Sequence, residues 1–117
     1  MVSSLGAYGE QLAVDYLEKK HFIIRERNFR AYGGEIDIIC QKNNTLIFVE
    51  VKARIGDWKG KPYEAVNPRK LVHLKRAADY YVLKNKERGL LRVDVVSIQL
   101  NPDKTISKIL HFENVYF

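Results

Sequence analysis

The sequence predicts a mixed α/β domain, one sheet flanked by helices, in the order α-β-β-β-α-β-β. Two stretches, about Ser4 to Lys20 and Asn67 to Arg88, carry apolar residues at helical spacing. Three strand-like runs lie between them, separated only by turn residues, and two more follow the second helix. A meander that reaches its next strand through a helix makes a sheet with both antiparallel and parallel pairs.

In the first helix Leu5, Gly9, Leu12, Ala13, Tyr16 and Leu17 gather on one side, with Asp15, Glu18 and Lys19 away from its centre. Ser3 and Ser4 are candidate N-caps, and Lys19-Lys20 suits a carboxyl end. Phe22 to Phe29 is apolar and then alternates with Arg25 and Arg27. Gly34 to Lys42 holds Ile36, Ile38, Ile39 and Cys40, and Thr45 to Arg54 holds Leu46, Ile47, Phe48, Val49 and Val51. Ala31-Tyr32-Gly33 and Asn43-Asn44 are turn chemistry, the second a hairpin. A charged loop from about Ile55 to Val66 carries Gly56, Trp58, Gly60 and Pro62. Asn67-Pro68 then reads as a cap with proline at the first helical position. The stripe Leu71, Leu74, Ala78, Tyr81 and Val82 is its buried face, with Gly89 closing the helix. Leu91 to Leu100 and Thr105 to Phe112 are the last strands, parted by Asn101-Pro102-Asp103.

A chain of 117 residues is expected to form one domain spanning 1–117. Its 46% apolar and 29% charged residues are a globular composition, excluding an acidic disordered segment. Twenty Lys and Arg against fourteen Asp and Glu leave a net charge of +6, which points to a polyanionic partner. The single cysteine, Cys40, excludes an internal disulfide and a cysteine-based zinc site. The longest apolar runs, Leu46–Val49 and Tyr80–Leu83, are far short of the roughly 20 residues that cross a bilayer. Glu10, Asp15 and Glu18 stand where a signal peptide needs an apolar stretch, so the expected setting is cytoplasmic, without membrane association.

Asp37, Glu50 and Lys52 are charges inside strands that otherwise announce a buried sheet. Glu50 and Lys52 project from one face with Leu46 and Phe48, and alternation groups Asp37 with Glu35 and Ile39, opposite Cys40. The hairpin lays the two strands side by side. Two carboxylates brought together there are costly unless neutralised, and an oxygen-rich set suits magnesium or manganese. Glu10, at the shoulder of the first helix's apolar face, would supply a third carboxylate. The plainer alternative is a solvated Glu50–Lys52 ion pair, with Asp37 and Glu10 as surface acids.

The motifs Gly6-Ala7-Tyr8-Gly9-Glu10, Gly33-Gly34-Glu35-Ile36-Asp37 and Phe48-Val49-Glu50-Val51-Lys52, with the helix opening Asn67-Pro68-Arg69-Lys70, resemble the PD-(D/E)xK nuclease superfamily. More closely, the chain resembles the YraN-like family of predicted endonucleases, which is similar to archaeal Holliday-junction resolvases. The resemblance implies a restriction-endonuclease-like fold and a nuclease dependent on Mg2+ or Mn2+. It implies Asp37 and Glu50 as metal ligands, with Glu10 and the Val51 carbonyl as further ones, and Lys52 as the lysine that positions or activates water. Glu10 matches the helix-borne acid of the resolvase-like branch. Ile36 stands where the superfamily signature has proline, and Glu35 adds an acid outside the signature. Resolvases act as two-fold dimers, so the resemblance also implies a homodimer, with the apolar stretch 110–117 either seeking a partner or folding back on the sheet.

Phosphodiester hydrolysis needs an activated water and stabilised oxyanions, which a metal and Lys52 would provide. Arg25, Arg27, Arg30, Arg54, Lys59, Lys61, Arg69 and Lys70 surround the motifs in sequence and are the candidate DNA contacts, with Lys75 and Arg76 further along the second helix. Phosphate contacts of this kind give affinity without base specificity, as a nuclease selective for branched DNA requires. Taken singly, each is more at home on a solvated face, and it is their concentration on both sides of Glu50–Lys52 that points to a polyanion. Trp58 and Tyr63 either stack on unpaired bases or cover an edge of the core. His73 and His111 have no acid or second histidine at ligand spacing and read as packing or surface residues. The competing functional class is a non-catalytic nucleic-acid-binding module with the same fold. Keeping Glu10, Asp37, Glu50 and Lys52 together favours the enzyme, since a pure binder has no use for acids facing phosphates.

Overall fold

A computed structural model describes residues 4–56 and 68–116. Trp58, Lys59, Lys61, Tyr63, Asn67 and Ser3 lie outside the described residues. Among those described, the order is α1 (Leu5–Lys19), β1 (Ile23–Ala31), β2 (Gly34–Lys42), β3 (Thr45–Ile55), α2 (Pro68–Lys84), β4 (Leu90–Leu100) and β5 (Ile106–Tyr116). The strands form one five-stranded sheet in sequential order. β3 and β4 are parallel across the α2 crossover and every other neighbouring pair is antiparallel. The α-β-β-β-α-β-β reading is thus the observed fold. No helix among the described residues is long and apolar enough to cross a membrane.

The two helices cover opposite faces. Alternate residues of β3 separate cleanly: Ile47 and Val49 pack with Ala13, Val14 and Leu17 of α1, while Leu46 and Phe48 pack with Leu74, Ala78 and Tyr81 of α2. Each helix seats on a glycine. A Cβ at Gly9 would come within 2.5 Å of the Ala53 Cβ, and one at Gly34 within 2.1 Å of the His73 carbonyl oxygen. Close seating at Gly9 turns the buried face of α1 toward Glu10, which is only 7% exposed, while Leu5 is left exposed. Ser4 is the N-cap, its Oγ accepting from the Ala7 N–H at 3.0 Å.

The second helix is shorter than its periodicity predicts. It ends at Lys84 because Lys86, at φ 53°, takes the left-handed position, with the Glu87 N–H donating to the Val82 carbonyl at 3.0 Å and the Lys86 N–H to that of Leu83. Gly89 therefore does not close the helix. It sits where a side chain would strike Asn44.

β5 is longer than expected, and residues 110–116 fold back on β4, with Val93 opposite Tyr116. The fully buried Asp94 makes this extension work, and neither it nor its partner stood out in the sequence. Its carboxylate accepts two hydrogen bonds from Arg92 (2.8 and 2.9 Å) and one from the Asn114 N–H (2.9 Å), and meets His111 Nε2 at 2.7 Å. Asn114, at φ 53°, marks the irregularity in β5 that Asp94 holds. His111 is therefore a hydrogen-bonded member of the core network, not a lone packing residue. Burial would push the Asp94 carboxyl up, but His111, Arg92 and the Asn114 amide together hold it below the usual carboxylate range. Its stabilising effect is present above the unfolded carboxylate pKa and is lost as pH falls through the folded one. Asp94→Ala leaves His111 without its acceptor and Arg92 with the longer contact to Glu113 at 3.4 Å, and is expected to cost about 3–5 kcal/mol, read by urea denaturation at pH 7.

Candidate metal and nucleic-acid site

The site begins where two strands part. The β2–β3 ladder runs from Lys42 opposite Thr45 to Ile38 opposite Val49 and stops. Continuing the register would set Asp37 against Glu50 and then Ile36 against Val51. Instead the Val51 N–H donates to Asp37 Oδ2 at 2.8 Å, so a carboxylate stands where a backbone carbonyl would. β2 keeps its pairing with β1 to the end of the strand, and β3 keeps its pairing with β4. The sheet opens between its second and third strands.

Facing also changes at this point. In β2, Ile38 and Cys40 pack under α1, yet Ile36 packs under α2. In β1, Arg27 reaches Glu10 of α1, yet Phe29 packs under α2. Both strands switch sides at Asn28 and Asp37, which the register skips between Arg27↔Ile38 and Phe29↔Ile36, and Asn28 adopts φ 53°. The grouping of Asp37 with Ile39, opposite Cys40, is therefore corrected: Glu35 and Asp37 share one cleft, Ile39 packs under α2, and Cys40 lies on the α1 side. Cys40 is fully buried, and burial pushes its thiol up to about 12, so it behaves as a small hydrophobe.

The opening is a cleft of about 370 Å³ lined by Gly6, Glu10, Arg27, Asn28, Glu35, Asp37 and Val51. Glu50 comes to Asp37 from β3 and is 2% exposed. Asp37 and Glu50 share a hydrogen bond, and the Asp37 carboxyl is pushed up to about 7, first by burial and then by the Glu50 charge, against the opposing Val51 N–H. The pair thus holds a proton near neutrality. Lys70, in the first turn of α2, forms an ion pair with Glu50. Burial lowers the Lys70 ammonium, but its hydrogen bond to Glu50 and the nearby Asp37 and Glu35 charges raise it overall.

Glu10 borders the same cleft without joining the pair. Its Oε1 accepts from Arg27 Nε at 3.0 Å and from Asn28 Nδ2 at 3.1 Å. Among the described residues no three His, Cys, Asp or Glu side chains gather closely enough to hold a metal ion by themselves. Lys52, two residues beyond Glu50 and paired in register with Ser97, is half-buried and makes no ion pair with a described acid.

The candidate DNA contacts divide. Arg25 is engaged by both oxygens of Glu87 (3.0 and 2.7 Å), Arg27 by Glu10, Arg30 by Glu35 (2.9 Å) and Lys70 by Glu50. Arg54, Arg69, Lys75 and Arg76 are exposed. Lys59 and Lys61 lie outside the described residues.

Residues 9–98, which span Glu10, Asp37, Glu50, Lys52 and Lys70, match the model of Uncharacterised protein family UPF0102. The chain belongs to this family. It is 46% identical over 118 residues to a UPF0102 protein of Syntrophomonas wolfei, covering 99% of this chain and 100% of that one. It is 44% identical over 119 residues to one of Alkaliphilus oremlandii (99% and 100%) and 45% identical over 113 to one of Thermodesulfovibrio yellowstonii (97% and 96%). The YraN-like resemblance is borne out at the level of this UPF0102 family.

The raised Asp37 carboxyl has a consequence for stability. Below its unfolded pKa of 3.8 Asp37 is neutral in both folded and unfolded chains and costs nothing. As pH rises to about 7 the unfolded chain ionises first and stability falls. Asp37→Asn in the UPF0102 chain keeps an acceptor for Val51. At pH 8 it is expected to be more stable than wild type by on the order of 4 kcal/mol, with the difference closing towards pH 4. Thermal unfolding across pH checks this, and a variant less stable at pH 8 would contradict it.

Proposed function

We propose that this UPF0102 protein is a metal-dependent nuclease that hydrolyses DNA phosphodiester bonds and selects branched DNA. The observation that carries the reading is the buried Asp37–Glu50 pair, two carboxylates in contact at the opening of the sheet that face the single ammonium of Lys70 among the described residues. The donor set fits Mg2+ or Mn2+: it is all oxygen, and a pair that retains a proton near pH 7 is one that a divalent cation would stabilise. Asp37 and Glu50 would hold the ion, with the Val51 carbonyl added by the superfamily resemblance. Arg27 and Asn28 both bond Oε1 of Glu10, so a ligand from Glu10 would be its Oε2. When bound, the ion supplies Lewis-acid stabilisation of a phosphate oxygen and lowers the pKa of water.

The residues of the chain do the rest. Lys52 stands beyond Glu50 on the same strand without an acidic partner among the described residues, so its ammonium would orient the attacking water and balance charge on the phosphate. The water oxygen attacks phosphorus as the bond to the leaving oxygen breaks. Carboxylates that hold a cation stay ionised, so the proton lost by the water would pass to bulk solvent and the leaving oxygen would take its proton from there. Exposed Arg54 and Arg69, which follow β3 and open α2, would carry the phosphate backbone across the cleft. A four-way junction presents two symmetric strands, so the branched-DNA form of the reading includes a homodimer.

One observation favours the non-catalytic binding module instead. Glu10 and Glu50 each already have a cation from the chain itself, Arg27 and Lys70, which neutralises acids that would otherwise repel phosphate. Incubating branched, flapped, linear and single-stranded DNA with the protein in Mg2+, Mn2+ or chelator separates the two. The nuclease reading expects cleavage that needs the metal, is strongest on branched DNA, and falls at least a hundredfold in Lys52→Ala. Salt-sensitive binding of the same DNAs with no cleavage under any condition would select the binding module.

A further inference from the structure

We infer that Lys70 is the built-in counter-cation of the site: it occupies Glu50 in the metal-free protein and is displaced when a divalent cation binds. The inference rests on the reading of Asp37 and Glu50 as metal ligands and adds a competitor for them from within the chain.

The geometry sets up that competition. The side chain of Glu50 is 3% exposed, so solvent offers its carboxylate almost nothing, and among the described residues the cation that reaches it is the Lys70 ammonium. Lys70 also lies in the field of Asp37 and of Glu35, which is itself paired with Arg30. A dication held by Asp37 and Glu50 would occupy the Glu50 oxygens that the ammonium uses. Two positive centres sharing one buried carboxylate repel each other. One of them must leave. The Lys70 side chain is 44% exposed and can do so: its stem comes from the first turn of α2, and withdrawing the ammonium to water needs only side-chain rotation. Arg27 on Glu10 is a different arrangement, because Asn28 also holds Glu10 and the guanidinium bonds Gln11 as well.

The test is Mn2+ binding by calorimetry at pH 7.5 on the full chain, independent of any cleavage. Lys70→Met and Lys70→Gln remove the competitor and are expected to bind Mn2+ about tenfold more tightly than wild type, whereas Lys70→Arg, which keeps the charge, stays within about threefold of it. Without metal, the neutral variants should melt below wild type, and Mn2+ should raise their melting temperature by more than it raises that of wild type. Two neutral variants of different shape guard against one failing to fold. Wild type and neutral variants binding Mn2+ equally, or the variants binding more weakly, would overturn the role of Lys70 and leave the metal site standing. No binding by any of them would overturn both. Binding by the neutral variants alone would support the competition.

Discussion

Asp37 Oδ2 accepts the N–H of Val51 at the rung where β2 and β3 cease to share backbone hydrogen bonds, and the arrangement of the site follows from that substitution. A buried N–H left without an acceptor is costly, so strands that part inside a sheet need a side chain to cover the exposed donor. Asp37 covers it and thereby brings a carboxylate into the interior beside Glu50, the residue just before Val51. The opening between the strands, the contact between the acids and the cleft under α1 are consequences of one hydrogen bond. The face switch at Asn28 and Asp37 lets β1 and β2 turn away together while their own ladder continues.

Charge compensation is the second constraint. Four acids, Glu10, Glu35, Asp37 and Glu50, lie around this opening, and each finds a different answer: Arg27 for Glu10, Arg30 for Glu35, Lys70 for Glu50, and a retained proton shared with Glu50 for Asp37. A protein carrying +6 overall spends several of its cations on its own acids. The basic residues nearest the motifs in sequence are therefore not automatically phosphate contacts. Burial lends these pairs their importance, since an exposed pair such as Arg30–Glu35 contributes at most about 1 kcal/mol.

The element order was legible because strand and helix periods differ sharply and because Asn43-Asn44 and Pro68 punctuate the chain where they should. Asp37, Glu50 and Glu10 stood out as charges in apolar surroundings, and all three border the opening between β2 and β3. Strict alternation misplaced Ile39 and Cys40 relative to Asp37, because one left-handed residue in β1 reverses the facing of two strands and a local pattern does not carry that signal. Gly89 is misleading for a related reason: glycine is the usual helix terminator, and Lys86 took the position instead. Asp94 escaped notice because its partners are far along the chain or hidden by strand context. His111 and Asn114 reach it only once β5 lies beside β4, although Arg92, two residues away on the same face, was a signal available in the sequence. The acid–base pairs that claim Arg25 and Lys70 are likewise tertiary, joining residues 62 and 20 positions apart.

The central claim is that the Asp37–Glu50 pair is where a divalent cation binds. Anomalous diffraction from crystals of the protein grown with Mn2+ at pH 7.5 tests it most directly. The account predicts a manganese peak bonded to carboxylate oxygens of both Asp37 and Glu50, beside Val51 and with the Lys70 ammonium moved off Glu50. A peak elsewhere on the protein, or crystals soaked in Mn2+ in which Lys70 still sits on Glu50 and no peak is found, would contradict it.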